Sequence, residues 1–329
     1  MQQFTGMQYV KIAVANAYGL DKENWDVRLD WFDRHADRLD LMALNAKEPI
    51  RYKKSVRAFH DALNQNPTGF IMPLDGTASG LQCFAALTGC IDTARNTNLL
   101  PNFDRMCAYK NTAQTMSNIG NKVYSRDLVK DPLMTSFYGS HNNPKEVFGD
   151  GTEDLKAFYE TLNIEFKGAM EAMADIQSCW QSHAEAHTWV MPDGHFVYIP
   201  VRETETKIIE VDSLAGMKFS MSCEVVKPIE TGISLAAHVI HSVDSYVCRE
   251  MVRRAYKQGF RLLTVHDEYW ASPNRFNQVR WNYIQIMAEI AASDLLSDIL
   301  SQITGEDIEF QKLSVGLDKL ILQSEYPLS

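Results

Sequence analysis

Two aspartates stand where apolar stretches of the chain end, and their positions suggest metal chemistry. Asp75 follows GFIMPL and precedes GTASG, and Asp267 follows LLTVH. A carboxylate at the end of a buried strand is costly to desolvate unless a cation meets it. If the two strands are neighbours, these carboxylates could hold two Mg²⁺ ions, the arrangement used for phosphoryl and nucleotidyl transfer. Taken alone, each aspartate is equally consistent with an ordinary turn after a strand.

A second set of residues could bind phosphate. Arg126, Lys130 and Tyr138 lie four and eight residues apart in SRDLVKDPLMTSFYG, so on one helix they would share a face. Cations on such a face can bind a triphosphate, and the aromatic ring can close over a base. Pro132 fits best in a first helical turn with Asp131 as its cap, which predicts that Arg126 and Lys130 lie just before the regular helix.

The elements that must position these side chains predict an α+β fold, with helices interrupting a few short strands. Residues 68–74 predict a short buried strand, in which Pro73 disfavours a central position. The other predicted elements are helices over 5–60, 79–90, 103–138, 155–187 and 231–258, a loop over 140–154, a hairpin over 189–201, strands over 207–211, 217–222 and 261–272, and a largely helical end.

Composition narrows the class of protein. The chain has 329 residues, 45% of them hydrophobic, which favours a folded protein with a sizeable core. Its six cysteines form no CxxC pair, and no secretory signal is evident, so we expect reduced thiols in a cytoplasm-like compartment and no membrane partner. The net charge of −10 opposes a polyanionic partner, but residues 105–130 carry five basic residues against one acid.

Together these segments resemble the single-subunit, bacteriophage-type DNA-dependent RNA polymerases, a family that includes the mitochondrial enzymes. The resemblance rests on DGTASGLQ, on R-x3-K-x7-YG and on HD after an apolar strand. It extends in the same order to YVKIAVANAYGLDK, NLLP, WVMPDG, VIHSVD and the terminal LILQSEYPLS. The resemblance implies a right-hand polymerase without an N-terminal domain or most of the thumb. Its expected parts are a palm of small antiparallel sheet and flanking helices over 1–92 and 242–329, the latter ending in a C-terminal foot, and mostly helical fingers over 93–241.

The resemblance also implies catalytic roles. Asp75 and Asp267 would ligate two Mg²⁺ ions, with the Gly76 carbonyl as a further ligand. The reaction would be attack of an RNA 3′-hydroxyl on the α-phosphate of an NTP, directed by a DNA template. Lys130 would be a candidate acid for the pyrophosphate leaving group. Tyr138 would stack at the active-site end of the fingers helix and take part in sugar selection.

The implied nucleotide-binding residues come from several segments. Arg126 and Lys130 would hold the triphosphate, and Lys11 would lie near the phosphates. His241 would meet the ribose 2′-hydroxyl, and Tyr109 would lie near the incoming nucleotide.

The nearest alternative is a family A DNA polymerase, whose last motif often reads HDE, as in His266-Asp267-Glu268 here. Two positions favour ribonucleotides. Gly80 stands where the DNA enzymes carry a glutamate that blocks the 2′-hydroxyl, and Met134 stands where they carry an aromatic residue.

The family's TxxGR motif has no counterpart in this sequence. Either the sequence is a piece of a longer polymerase, or a second chain supplies that motif, the N-terminal domain and the thumb, as in the two-chain polymerases of N-four-like phages, which fit best. A single-stranded DNA-binding or recruitment factor is a further expected partner, and the expected location is the cytoplasm of an infected bacterium. A non-catalytic, polymerase-like binding subunit is the alternative from another class.

Overall fold

The computed structural model describes residues 1–201, 203–225 and 232–329. Its first part is mainly helical and leads into one strand. The elements are α1 (Gly6–Ala15), a π-helical turn (Asn16–Leu20), α2 (Trp25–His35), a 3₁₀ segment (Leu39–Asn45), α3 (Pro49–Leu63), β1 (Met72–Asp75), α4 (Ser79–Thr88) and α5 (Ile91–Asn96).

The middle part is a run of helices followed by two hairpins. The elements are α6 (Ala108–Gly120), α7 (Arg126–Ser136), α8 (Asn142–Phe148), α9 (Glu153–Glu165), α10 (Lys167–Ser178), β2 (Ala186–Val190), β3 (Phe196–Pro200), β4 (Glu203–Val211), a 3₁₀ turn (Asp212–Leu214) and β5 (Met217–Val225).

The last part returns to the first sheet. The elements are α11 (Ile233–Lys257), β6 (Leu263–Val265), β7 (Glu268–Ala271), a 3₁₀ turn (Pro273–Arg275), α12 (Phe276–Ala292), α13 (Leu295–Thr304) and α14 (Leu317–Ile321). No helix of the described ranges is both long and apolar enough to cross a membrane.

One sheet combines a strand from the first part of the chain with two strands from the last part. Its strand order is β1-β7-β6, all antiparallel, and the register pairs Met72 with Ala271 and Asp75 with Glu268. Met72 and Leu74 are buried on one face of β1. Pro73 has no backbone N–H to donate, and it lies in an edge strand, where that loss is tolerated. The expected small antiparallel sheet is therefore present.

Helix α4 links this sheet to the core. All of its residues except Gly80 are buried, and it packs against α5, α10, α11 and α12. A second, smaller core lies beneath α1 and α3, where Phe32, Tyr52 and Phe59 are buried. Because a helix surrounded by other helices has little freedom to move, α4 provides a rigid base for the turn that precedes it.

Two sequence expectations about helices are wrong, and part of a third cannot be compared. The predicted loop over 140–154 contains α8, because Asn142, Asn143 and Pro144 all fit the first turn of a helix. The helix predicted over 155–187 is two helices separated at Phe166, whose ring is fully buried, followed by β2. The part of the helix predicted over 231–258 that falls on residue 231 lies outside the described residues.

The helix start predicted near Pro132 is also wrong. Helix α7 begins at Arg126, and the Ser125 side chain caps it by accepting a hydrogen bond from the Leu128 N–H at 3.2 Å. Pro132 lies inside the helix, so Arg126 and Lys130 belong to it rather than preceding it. Similarly, the single strand predicted over 261–272 is the β6–β7 hairpin, with His266 and Asp267 at its turn.

Candidate active site

A cavity of about 730 Å³ opens beside the turn after β1. It brings together segments that are far apart in the sequence. Ten residues singled out from the sequence line it: Asp75, Gly76, Gly80, Tyr109, Arg126, Lys130, Met134, Tyr138, His241 and Asp267. Lys11 is not among the lining residues.

The turn after β1 places Asp75 against the β6–β7 hairpin. The Gly76 N–H donates to the Asp267 backbone carbonyl at 3.1 Å. A Cβ atom on Gly76 would lie 3.2 Å from Asp267 Oδ2, so the missing side chain leaves room for that carboxylate. Ala78 then adopts the left-handed conformation, with φ of +62°, and the chain enters α4 at Ser79. The turn is therefore shaped to keep the two aspartates side by side.

The turn is also fixed from behind. The buried Thr77 hydroxyl donates to the Thr97 carbonyl at 2.9 Å, and the Thr77 N–H donates to the Pro327 carbonyl at 3.1 Å. The Ser329 N–H donates to the Asp75 carbonyl at 3.0 Å. Leu328 therefore forms an isolated antiparallel β-bridge with Gly76 in the turn after β1.

Asp267 lies in a tight hairpin turn. Val265 pairs with Glu268, which leaves only His266 and Asp267 between the strands, and His266 has a φ of +55°. A residue other than glycine in this conformation is strained unless its surroundings hold it. Here the Cys248 thiol donates to the His266 carbonyl at 3.0 Å.

Sequence reasoning missed a third carboxylate. Asp244 lies on α11, three residues after His241, and both line the cavity. The Ser79 hydroxyl lowers the pKa of both Asp244 and Asp267, against the larger effect of burial. The i, i+3 spacing within VIHSVD places Asp244 and His241 on one helix face and could have identified it.

Three carboxylates, those of Asp75, Asp244 and Asp267, line the same cavity without an ion-pair partner among the described residues. Burial, followed by the neighbouring Asp267, raises the pKa of Asp75 to about 6. Burial, again followed by Asp267, raises the pKa of Asp244 to about 6, and burial raises the pKa of Asp267. None of the three forms an ion pair with a residue of the described ranges.

This donor set fits a divalent cation. Asp75 and Asp267 offer carboxylate oxygens, the ligands that Mg²⁺ prefers, and a cation would relieve their mutual repulsion. No three His, Cys, Asp or Glu side chains converge as a closed metal cluster in the part of the chain that the structure describes. Two carboxylates without a full cage are typical of Mg²⁺ sites that substrate phosphates complete.

Helix α7 supplies cations to the same cavity. Arg126 pairs with its neighbour Asp127 at 2.6 Å, and its guanidinium lies 5.4 Å from the centre of the Tyr109 ring. Lys130, one turn further on, forms no ion pair with any described residue. Tyr138, predicted to share a helix with Arg126 and Lys130, lies two residues beyond the end of α7 but lines the same cavity.

The far wall of the cavity consists of Tyr138, His241 and Gly80. The rings of Tyr138 and His241 are 4.8 Å apart. A Cβ atom on Gly80 would lie 2.9 Å from the Tyr138 hydroxyl, closer than ordinary contact allows. Burial raises the pKa of Tyr138 to about 12, so this hydroxyl stays protonated at neutral pH. Gly80 thus leaves space that the tyrosine hydroxyl occupies.

The lysines near the cavity differ from the one singled out in the sequence. Lys11 lies instead beside Asp33, with 2.6 Å between Nζ and Oδ1. Lys22 and Lys47 line the cavity, and both pair with Asp21, at 2.9 Å and 3.4 Å. Lys22 is the last residue of the YVKIAVANAYGLDK segment. The resemblance therefore points to the right segment, but Lys22 rather than Lys11 lines the cavity.

Glu268 lies on the other side of the hairpin. It accepts hydrogen bonds from Arg51 Nη1 at 3.1 Å and from Trp270 Nε1 at 2.9 Å. It lines a second cavity of about 220 Å³, which also reaches Asp75. Glu268, the last residue of the HDE motif, is therefore paired with protein groups and does not line the main cavity.

Comparison with known proteins agrees with the resemblance drawn from the sequence. Residues 3–146 match the protein family described as DNA-dependent RNA polymerase. The matched range includes Asp75, Arg126 and Lys130, whereas Asp244 and Asp267 lie beyond it.

Individual relatives extend the similarity. The mitochondrial DNA-directed RNA polymerase of Schizosaccharomyces pombe is 22% identical over 80% of this chain and 28% of its own length. The DNA-directed RNA polymerase of Pseudomonas phage phiKMV is 22% identical over 73% of this chain and 37% of its own length. The mitochondrial enzyme of Neurospora crassa is 26% identical over 41% of this chain. The chain thus spans well under half the length of these relatives, and the comparisons support the DNA-dependent RNA polymerase family.

Proposed function

We propose that this chain is the catalytic part of a DNA-dependent RNA polymerase of the single-subunit phage and mitochondrial type, a nucleotidyltransferase. One observation carries the proposal. Ten of the residues that the family resemblance marks as functional come from separate segments between 75 and 267, and all of them line one cavity. The similarity to relatives named DNA-directed RNA polymerase supports the same function.

In this proposal the cavity binds an NTP with its phosphates toward α7. Arg126 and Lys130 hold the triphosphate, since guanidinium and ammonium groups form strong charge-assisted hydrogen bonds to phosphate. Lys130 has no protein carboxylate partner in the described ranges, so it is available to give a proton to the leaving pyrophosphate. Lys22 adds a cation near the phosphates, the role first assigned to Lys11.

Asp75 and Asp267, with the Gly76 carbonyl, would hold two Mg²⁺ ions. When bound, the ions would supply charge neutralisation at the α-phosphate and activation of the RNA 3′-hydroxyl. Asp244 lines the same cavity, and the Ser79 hydroxyl lowers the pKa of both Asp244 and Asp267.

The sugar end of the nucleotide lies against Tyr138, His241 and Gly80 in this proposal. Because Gly80 has no side chain, the Tyr138 hydroxyl packs against it, and this hydroxyl is the group that would contact a 2′-hydroxyl. Met134 lines the same cavity with 41% of its surface exposed and leaves its edge open. Gly80 and Met134 favour ribonucleotides over deoxyribonucleotides, and Glu268, the residue that resembles the DNA polymerase motif, pairs with Arg51 outside the main cavity.

The rest of the polymerase lies outside this chain in our proposal. The chain aligns with 28% to 37% of the length of two relatives. We therefore propose that a partner chain supplies the TxxGR motif, the N-terminal domain and the thumb, as in the two-chain enzymes of N-four-like phages. On that view residues 1–92 and 242–329 act as palm, residues 93–241 act as fingers, and the protein works with template DNA in an infected bacterium, aided by a single-stranded DNA-binding or recruitment factor.

Primer extension tests the proposal. An RNA primer annealed to a DNA template would be incubated with the full chain, Mg²⁺ and either NTPs or dNTPs, with and without the partner chain. We expect incorporation of NTPs that depends on Mg²⁺ and on template sequence. Equal use of dNTPs would contradict the sugar assignment. Template binding without any incorporation, even with the partner present, would instead favour a non-catalytic binding subunit.

A further inference from the structure

Arg105 is a cation of the main cavity that the proposed function does not use. It lies between α5 and α6 and lines the cavity together with Asp75. Its backbone N–H donates to Asn24 Oδ1 at 2.7 Å, and its Nε donates to Ser329 Oγ at 2.7 Å. Asn24 in turn donates to Asp104 Oδ1 at 2.7 Å. Both the backbone and the inner end of the guanidinium are therefore fixed in place.

The charge of Arg105 is not balanced by a protein carboxylate. Within residues 1–201, 203–225 and 232–329 it forms no ion pair, although Asp21 and Asp75 act on it from a longer distance. Lys22 and Lys47, which line the same cavity, both pair with Asp21. Arg105 is partly buried, and this burial lowers its pKa. A partly buried cation is costly unless an anion meets it.

The position of the Arg105 guanidinium indicates which kind of anion would bind it. The Nε atom is used by Ser329, so the two outer Nη groups remain for a ligand in the cavity. A guanidinium presenting two parallel donors is well suited to bidentate binding of phosphate. Its neighbour Asp75 is one of the carboxylates assigned to metal, so the ligand that reaches Arg105 also lies beside the metal-binding turn.

We infer that Arg105 binds the terminal phosphates of the incoming nucleotide and the pyrophosphate product. This inference rests on the proposed function and adds a phosphate contact outside helix α7. A polyphosphate is favoured over a nucleic-acid backbone because several cations converge on one enclosed cavity, whereas a backbone carries one charge per phosphate along an extended path. Arg105 is then a substrate-binding residue, and Ser329 is a positioning residue that acts through it.

Direct binding of inorganic tripolyphosphate to the full chain tests the inference by calorimetry, without any need for polymerisation. The variants are Arg105→Gln, which removes the charge, Arg105→Lys, which keeps it without the forked donors, and Ser329→Ala, which removes the Nε partner. Arg95→Gln is the matched control, because Arg95 is exposed, pairs with Asp92 at 2.7 Å and does not line the cavity.

We expect Arg105→Gln to weaken tripolyphosphate binding about tenfold to a hundredfold, the range for a charge-assisted hydrogen bond. Arg105→Lys should lose less affinity for tripolyphosphate than Arg105→Gln, and Ser329→Ala should lose less than Arg105→Lys. Arg95→Gln should bind tripolyphosphate as tightly as the unmodified chain does. In primer extension the Arg105→Gln variant should raise the KM for NTPs and weaken inhibition by pyrophosphate by similar factors. Circular dichroism at the assay temperature confirms that each variant is folded.

Two results would overturn the inference. One is unchanged tripolyphosphate binding in both Arg105 variants. The other is a selective loss of primer–template binding in Arg105→Gln, which would assign the residue to a nucleic-acid phosphate. The Arg105 site and the polymerase function can fail separately. If the Arg105 variants bind tripolyphosphate more weakly although the chain incorporates no nucleotide, the phosphate site is supported and the polymerase function is not.

Discussion

The two cavities that meet at Asp75 treat adjacent carboxylates in opposite ways. Asp267 lines the larger cavity, and Glu268, the next residue, lines the smaller one. Glu268 accepts from Arg51 and Trp270, whereas Asp267 has no cationic partner among the described residues. One side of the hairpin is therefore neutralised by the protein, and the other side is left for a cation that the protein does not provide.

This difference helps to distinguish structural from functional acids. A carboxylate paired with arginine already has its counter-ion, and it holds two elements together, here α3 and β7. Buried carboxylates without a cationic partner have raised pKa values, here, in the described part of the chain, those of Asp75, Asp244 and Asp267, and the cost of ionising them remains unless a ligand offsets it. The sequence HDE presents both kinds of acid side by side, and only the tertiary contacts separate them.

Removing the charge at each of the two positions should give the largest contrast. We expect Asp267→Asn to reduce nucleotide incorporation at least about a thousandfold, because a ligand to metal is lost. Glu268→Gln should change incorporation only a few-fold. Primer extension with both variants measures the contrast, and comparable losses in the two would show that Glu268 also serves the reaction.

A second prediction concerns the space at Gly80. Gly80→Ala should lower incorporation about tenfold, because the new Cβ atom would lie 2.9 Å from the Tyr138 hydroxyl and push the ring away. With Tyr138→Phe as the background, the nearest ring atom is 3.5 Å away, an ordinary contact, so Gly80→Ala should then have little further effect. A double-mutant cycle measures this coupling, and additive effects would rule out the steric explanation.

The pH dependence of stability offers a third prediction. Burial raises the pKa of Asp244 to about 6, above its value in the unfolded chain, so its contribution to folding is present at low pH and is lost as pH rises through 6. Asp244→Asn, which cannot ionise, should therefore become stabilising relative to the unmodified chain between pH 4 and pH 7, by about 3 kcal/mol. Denaturant unfolding without divalent ions measures the difference, and a difference that is independent of pH would contradict the assignment.

The smallest effect is expected at Arg51. Its ion pair with Glu268 is partly exposed to solvent, with 44% of the arginine side chain accessible. Arg51→Gln should therefore cost no more than about 1 kcal/mol of stability and leave incorporation nearly unchanged. Thermal unfolding beside primer extension checks both, and a large loss of incorporation would mean that the smaller cavity takes part in catalysis.

The sequence predicted the parts of the site that depend on local pattern. Asp75 and Asp267 were found because an apolar stretch followed by a turn is visible in a few residues. The spacing of Arg126 and Lys130 predicts a shared helix face, but Pro132 indicates a helix start that the structure does not have. Ser125, an ordinary helix cap, was the stronger signal.

The remaining residues depend on packing between distant segments. Lys11 and Lys22 belong to the same stretch, and only the turn at Asn16–Leu20 decides which of them faces the cavity. Arg105 becomes a cavity residue because Asn24 and Ser329 hold it there, and neither contact is visible in the sequence. The break at Phe166 has no glycine or proline to signal it, because burial of an aromatic ring causes it.

Metal binding tests the central difference between the two cavities most directly. Mn²⁺ is a spectroscopic substitute for Mg²⁺, and electron paramagnetic resonance can follow its binding to the unmodified chain, to a variant carrying both Asp75→Asn and Asp267→Asn, and to Glu268→Gln. We predict that the unmodified chain and Glu268→Gln bind Mn²⁺ with similar affinity and that the double variant does not. Undiminished binding by the double variant, or loss of binding in Glu268→Gln alone, would contradict the account.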